Sequence, residues 1–281
     1  MTDSDLHLYI AQQVAMTLRE DIADGDLTAE VIPDHTPASA TVVARERAVL
    51  CGTEWFDACF HQLDAAASIE WNAHDGEDVS AGQVLCLVKG GARAMLSAER
   101  SALNFLQTLS ATATLTRRYV EAVATTNAVI VDTRKTIPGL RLAQKYAVRT
   151  GGGSNHRIGL FDGMLIKENH ILAAGGIGAA LQKAAQIAPR GVMVQIEVEN
   201  LQQLLQALAA NARMILLDNF SPDQVREAVR LAGGRAKLEA SGGITLANVR
   251  EMAQTGVDRI SIGALTKNVQ AVDLSMRFFV G

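Results

Sequence analysis

The chain has 281 residues, 48% of them apolar and only 4% aromatic, which suits one large α/β barrel with or without a smaller companion domain. Its formal net charge of −4 offers no overall attraction to nucleic acid or an anionic membrane, so any anion site must come from local clustering. No apolar run is long enough to span a bilayer.

The acidic opening Met1-Thr2-Asp3-Ser4-Asp5 lacks the apolar segment of a secretory signal. Cys51, Cys59 and Cys86 have neither CxxC spacing nor nearby histidine pairs, and read as reduced, mostly buried thiols of a cytoplasmic protein. Residues 1–97 predict a small α+β domain. Helical periodicity covers roughly residues 6–20, Thr41–Arg45 and Gln83–Val88 read as strands, and Glu54–Leu63 reads as a helix. The stretch Asp75–Leu85 has the turn pattern of lipoyl and biotinyl carrier domains. A carrier needs a lysine at an exposed hairpin tip, and none lies between the matching strands, so the turn is read as architecture.

A long helix follows from Ser97 to about Thr125, with Leu103, Leu106, Leu109, Ala113 and Val120 along one apolar stripe. Ser97 as its N-cap would place Arg100 at the third helical position, where a capping box wants Glu or Gln. A cation there opposes the helix dipole at a cost of about 0.3–1 kcal/mol. Such a misfit marks either a functional residue or a pairing with Glu99 or another acid.

Residues 98–269 alternate apolar runs with helical patterns. The runs are Val129–Asp132, Met164–Lys167, Val194–Val198, Met214–Leu217, Lys237–Ala240 and Arg259–Ile262; the helices are Gly139–Arg149, Gly178–Ile187, Leu201–Ala210, Pro222–Leu231 and Leu246–Thr255. This spacing implies parallel strands joined by crossover helices, and six or seven units favour a closed or nearly closed α/β barrel over an open doubly wound sheet. No GxGxxG follows a strand. Residues 270–281, with the apolar Leu274–Val280, are expected to pack back on the N-terminal domain.

Barrel enzymes work at the C-terminal ends of their strands, and polar or glycine residues recur there. Asp132, Thr133, Arg134 and Lys135 follow the first run, and Lys167, Glu168, Asn169 and His170 the second. Glu197 and Glu199, Asp218 and Asn219, Ser241-Gly242-Gly243, and Ile262-Gly263-Ala264 mark the next four. Arg141, Lys145 and Arg149, at i, i+4 and i+8, read as a solvated stripe. Arg134, Lys135, Arg157 and Lys167 instead sit at strand ends or in the Gly151–Arg157 loop, and such a cation cluster calls for a ligand with several negative charges. The two glycine turns are either tight connections or phosphate cradles; their pairing on the last two strands favours phosphate. Glu197 and Asp218 either pair with Lys167 or hold ribose hydroxyls or Mg²⁺ beside a developing positive charge.

Several segments together resemble the quinolinate phosphoribosyltransferase family, also called carboxylating nicotinate-nucleotide pyrophosphorylases. They are Asp24–Thr28, Ala98–Phe105, Asp132–Arg141, Gly151–Arg157, Leu165–His170, Glu197–Glu199, Leu217–Asn219 and Ser241–Gly243, covering nearly the whole chain. The resemblance implies an incomplete α/β barrel preceded by a small α+β open sandwich domain. It implies a homodimer, possibly a higher oligomer, in which Arg100 reaches the partner's site. The implied reaction joins quinolinate to 5-phosphoribosyl 1-pyrophosphate with Mg²⁺, giving nicotinate mononucleotide, pyrophosphate and CO₂. The implied roles place Arg100, Arg134, His156, Arg157 and Lys167 around quinolinate, and Lys135, Glu197 and Asp218 at the phosphoribosyl pyrophosphate or its metal, which the substrate mainly carries. Thr133 belongs to the same turn, and Ser241, Gly242, Gly243, Ile262, Gly263 and Ala264 hold the 5-phosphate. Three alternatives stay open: a paralogous pyrophosphorylase associated with molybdenum transport, a Schiff-base lyase using Lys167, and a non-enzymatic carrier built on Asp75–Leu85.

Overall fold

A computed structural model describes residues 3–280; Met1 and Thr2 of the acidic opening, and Gly281, lie outside the described residues. Internal contacts divide the chain into two units, Met1–Thr114 with Val269–Gly281, and Leu115–Asn268.

The first unit opens with α1 (Asp3–Ile22), followed by β1 (Pro37–Ala44), β2 (Ala48–Val49), α2 (Thr53–Leu63), β3 (Ser68–Trp71), β4 (Asp78–Val79) and β5 (Val84–Gly91). Strand β1 shows the expected two-residue period, with Ala38, Ala40, Val42 and Ala44 buried. It pairs antiparallel with β5 on one side and with the chain's last strand, Leu274–Val280, on the other, Val42 facing Met276. The C-terminal run thus packs back where it was expected. Trp55, Phe56 and Phe60 of α2 are fully buried, and Trp55 Nε1 donates to Gln13 Oε1 of α1 at 2.7 Å. The carrier-like turn serves this architecture: Asp75 accepts from the backbone N–H groups of Gly52 and Thr53 at 2.9–3.1 Å, at the start of α2. All three cysteines are buried, and burial pushes the Cys59 thiol up to about 12.

The long helix α3 runs Ala92–Val123, starting five residues before its expected N-cap. Ser97 is therefore inside the helix, and its Oγ donates to Asp26 Oδ2 at 2.7 Å. That removes the dipole argument for Arg100, which sits mid-helix and exposed. The early start comes from β5, which leads directly into α3 with no connecting loop to cap.

The second unit follows the predicted alternation: β6 (Val129–Val131), α4 (Arg141–Thr150), β7 (Gly163–Ile166), α5 (Glu168–Ala174), α6 (Ile177–Ile187), β8 (Met193–Val198) and α7 (Leu201–Ala209). It continues with β9 (Met214–Asp218), α8 (Pro222–Ala232), β10 (Lys237–Ser241), α9 (Val249–Ala253), β11 (Arg259–Ser261) and α10 (Ala264–Lys267); the last strand of the chain is β12. The six strands β6–β11 form one parallel sheet in the order β6-β11-β10-β9-β8-β7. β6 and β7 end the sheet without pairing to each other, which makes the barrel incomplete. Ser221 caps α8 through a capping box with Gln224, Pro222 occupies its first turn, and Gly233 ends it in the left-handed region.

Alternation sorts the strands into two faces. Ile196, Val198, Ile215, Leu217, Leu238, Ala240 and Ile260 join the buried apolar cluster that also holds residues of α6, α7, α8 and α9. The alternate positions form the other face, and they are mostly polar: Gln195 and Glu197 on β8, Asp218 on β9, Glu239 and Ser241 on β10, Arg259 and Ser261 on β11. The filled interior of an ordinary α/β barrel is apolar; this one sets hydrogen-bonding groups beside Leu165 and Leu216.

Candidate active site

A cavity of about 310 Å³ opens on that polar face. Thr133, Arg134, Lys135, His156, Arg157, Lys167, Glu197 and Ser241 all line it, bringing together most of the residues singled out from the sequence. Asp218 lies at the same strand ends, where its backbone pairs with Ser241. Arg100 belongs to the first unit.

The basic turn after β6 is held from both sides. Thr133 Oγ1 accepts from the Lys135 N–H at 3.0 Å, and the Lys135 carbonyl accepts from Thr266 Oγ1 at 2.8 Å. The buried Gln144 clamps the same turn: its Oε1 accepts from the Ile137 N–H at 2.8 Å and its Nε2 donates to the Thr266 carbonyl at 2.7 Å. Arg141, half-buried, donates to Thr136 Oγ1 and to the carbonyls of Arg134 and Ile158. The solvated stripe expected on α4 is therefore wrong for two of its three members. Only Arg149 is exposed.

Lys145 departs furthest from that expectation. It is 2% exposed and forms an ion pair with Asp132, which is fully buried. Asp132 also accepts from Asn155 Nδ2 and, at 2.9 Å, from the His156 N–H, while Lys145 Nζ donates to the His156 carbonyl at 3.0 Å. Burial pushes the Asp132 carboxyl above its ordinary range and the Lys145 ammonium below it, and each partner's charge opposes that push. The pair anchors the Asn155-His156-Arg157 loop to the end of β6.

Arg134 and Arg157 face a common space. Burial and the neighbouring Arg134 guanidinium hold Arg157 below its usual range. Arg134 makes no ion pair among the described residues, and its Nε is buried without a hydrogen-bond partner. Two mutually repelling guanidiniums, one with an unspent donor, form a receptor for an anion. Lys167 extends the basic wall, its Nζ donating to Glu197 Oε2 at 3.0 Å. His170 instead turns back on its own helix, its Nδ1 accepting from the Lys167 N–H at 3.0 Å.

The two glycine turns differ. Gly242 has φ 99°, and a Cβ there would lie 2.1 Å from Asn219 Oδ1 and 3.0 Å from Asn219 N, so the turn admits glycine alone. At Gly263 a Cβ would come within 3.1 Å of Lys135 Cδ, so glycine leaves room for the lysine stem. Ile262 supplies no free donor: its N–H donates to the Val131 carbonyl at 3.0 Å and its side chain lies in the core. Ala264 begins the short α10.

Residues 26–110 match the N-terminal domain, and residues 112–277 the C-terminal domain, of quinolinate phosphoribosyl transferase. The chain belongs to this family. It is 42% identical over 270 residues to a probable nicotinate-nucleotide pyrophosphorylase (carboxylating) of Bacillus subtilis, covering 96% of this chain and 93% of the relative. It is 38% identical over 284 residues to a quinolinate phosphoribosyltransferase (decarboxylating) of Nicotiana glauca, covering 94% and 81%. Among solved structures, the nicotinate-nucleotide pyrophosphorylase from Francisella tularensis superposes with a TM-score of 0.94 at 46% identity, covering 97% of each chain.

Within this quinolinate phosphoribosyltransferase fold, sequence reasoning missed four groups at or beneath the cavity. Glu239 and Ser261 line it, Gln195 lies buried beside Glu239, and the Asp132–Lys145 pair supports its rim. A signal was present for Gln195 and Glu239. Gln195 and Glu197, and Glu239 and Ser241, are polar at a spacing of two within otherwise apolar strands, so they share one face.

Proposed function

We propose that the chain transfers the phosphoribosyl group of 5-phosphoribosyl 1-pyrophosphate to the ring nitrogen of quinolinate, releasing pyrophosphate and CO₂ and leaving nicotinate mononucleotide. The observation that carries this reading is the convergence of Arg134 and Arg157, reinforced by Lys167, on one cavity. Two adjacent carboxylates on a planar ring match two guanidinium forks better than a single carboxylate does.

Each group has a role in the chemistry. Lys135, whose stem crosses Gly263, places its ammonium toward the leaving pyrophosphate. Glu197 and Asp218 lie on the same face of neighbouring strands, two positions apart in register, where carboxylates stabilise the positive charge that grows on the ribose as the C1–O bond breaks. The quinolinate nitrogen forms the new bond to C1. The ring nitrogen, now quaternary, stabilises the electron pair that the departing CO₂ leaves on C2, and that carbon then takes a proton. The backbone of Ser241-Gly242-Gly243 approaches the 5-phosphate.

Mg²⁺ is part of this proposal. The described residues contain no cluster of three or more His, Cys, Asp or Glu side chains able to cage a metal, and Glu197 is already paired with Lys167. Glu197 and Asp218 would be the carboxylates to help hold a hard cation brought in mainly by the pyrophosphate substrate. When bound, the ion supplies charge neutralisation to the leaving pyrophosphate.

We further assign the chain to the cytoplasm and to a homodimer in which Arg100 serves the partner's cavity; three buried cysteines fit the first assignment. No helix among the described residues is long and apolar enough to cross a membrane. Lys167 is already engaged by Glu197, which favours a binding role over Schiff-base chemistry.

The direct test incubates the protein with Mg²⁺, 5-phosphoribosyl 1-pyrophosphate and quinolinate, and follows CO₂ and nicotinate mononucleotide. Both are expected to form in equal amounts, and turnover with nicotinate as good as with quinolinate would refute the dicarboxylate reading. Shared sites have their own readout. Mixing inactive Arg100→Ala and Lys135→Ala subunits is expected to regain about a quarter of wild-type activity by random pairing with one intact site per heterodimer. No regain would place Arg100 in its own subunit's site.

A further inference from the structure

The floor of the cavity holds a line of polar side chains to which the proposed reaction assigns no step. Glu239 and Gln195 are fully buried, and His156 is 8% exposed. Gln195 Nε2 lies 3.2 Å from Glu239 Oε2, and Gln195 Oε1 lies 2.7 Å from His156 Nε2. On the other side of the imidazole, the backbone N–H of Arg157 donates to Nδ1 at 2.7 Å.

The two ends give this line a direction. A backbone N–H can only donate, so Nδ1 must present a lone pair. An ionised carboxylate can only accept, so Gln195 must turn its amide nitrogen toward Glu239. The Gln195 carbonyl oxygen then faces His156, and Nε2 must carry the ring's proton. Reversing the amide would set its N–H groups against Nε2–H and its carbonyl against the carboxylate, two repulsive contacts in a buried site. Arg259 Nε stands 3.4 Å from Glu239 Oε2, a cation beside the carboxylate.

We propose that Glu239 is a positioning residue for quinolinate: through Gln195, and directly from Oε1 at 3.7 Å from His156 Nε2, it holds His156 as the Nε2–H tautomer, which fixes the backbone at Arg157 and so aims the Arg157 guanidinium. The inference rests on the quinolinate reading of the cavity. His156 is gripped at four atoms, since its N–H donates to Asp132 at 2.9 Å and its carbonyl accepts from Lys145 at 3.0 Å, in addition to the two ring contacts. With both nitrogens taken by protein groups, the ring adds no cationic charge to the cavity. That charge comes from Arg134, Arg157, Lys135 and Lys167.

The test combines nuclear magnetic resonance with kinetics on the full chain. In protein labelled with ¹⁵N-histidine, His156 is assigned by its loss in His156→Asn. The wild type is expected to show a bare Nδ1 and a protonated Nε2, read without any substrate. Glu239→Leu breaks the line at its end and Gln195→Met breaks it in the middle. Each is expected to lose that signature and to raise the quinolinate KM on the order of tenfold, with kcat and the phosphoribosyl pyrophosphate KM little changed. Glu239→Gln, whose carbonyl oxygen can still accept from Gln195, is expected to keep both. A protonated Nδ1 in the wild type overturns the proposal, even if neither disruptive variant folds. An unchanged quinolinate KM in a folded variant also overturns it, as does a parallel rise in both KM values. Absence of any turnover by the wild type would instead remove the functional reading and leave the tautomer result standing.

Discussion

Arg134→Ala is expected to weaken quinolinate binding by about 2–5 kcal/mol, roughly 30-fold to several thousand-fold, with thermal stability near that of the wild type. The large binding effect follows from geometry: the guanidinium shares its space with Arg157 and has a buried, unpaired Nε. The small stability effect follows from the same facts. Removing Arg134 leaves no protein carboxylate behind and relieves the repulsion on Arg157. Arg134→Lys is expected to restore little, because an ammonium cannot fork across a carboxylate. Calorimetric titration with quinolinate, beside a thermal melt, measures both quantities. Unchanged quinolinate affinity would remove Arg134 from the site.

Lys145→Met should behave in the opposite way, with a large loss of stability. It strips the fully buried Asp132 of its cation and leaves only Asn155 and the His156 N–H to satisfy the carboxylate. Breaking such a pair on one side costs about 3–5 kcal/mol, and at this chain length that lowers the melting temperature by roughly 6–20 °C. The double variant Lys145→Met with Asp132→Asn is expected to recover much of the loss, because no buried charge then lacks a partner. Activity should fall with the single change, since Lys145 also holds the His156 carbonyl. A single variant that melts with the wild type would mean that Asp132 is satisfied without Lys145.

Much of this protein is written along its chain. The six apolar runs of the second half became β6–β11 with shifts of a residue or so at their ends, because a buried parallel strand needs an unbroken β-rich run and its crossover helix needs a different period. The cations after β6 and β7 and the Gly151–Arg157 loop were identifiable as one site because parallel topology brings all C-terminal strand ends together. The start of α3 was not legible: Ser97 has the chemistry of an N-cap, yet β5 leads into the helix five residues earlier, and Ser97 turned out to bond Asp26 from within the helix.

Local sequence, then, determined the alternation, the apolar faces and the run of cations after β6. Each depends only on period or neighbours along the chain. Tertiary structure alone decided which polar groups are buried. Lys145 and Arg149 lie one turn apart on α4, and period cannot separate them; the loop from Asn155 to Arg157 meets Lys145 and leaves Arg149 in solvent. Likewise, Gln195 and Glu239 could be placed on one face from their spacing, but not joined to His156. Their hydrogen bonds link residues 39 and 44 positions apart, and their direction is set by a backbone N–H and a carboxylate at opposite ends.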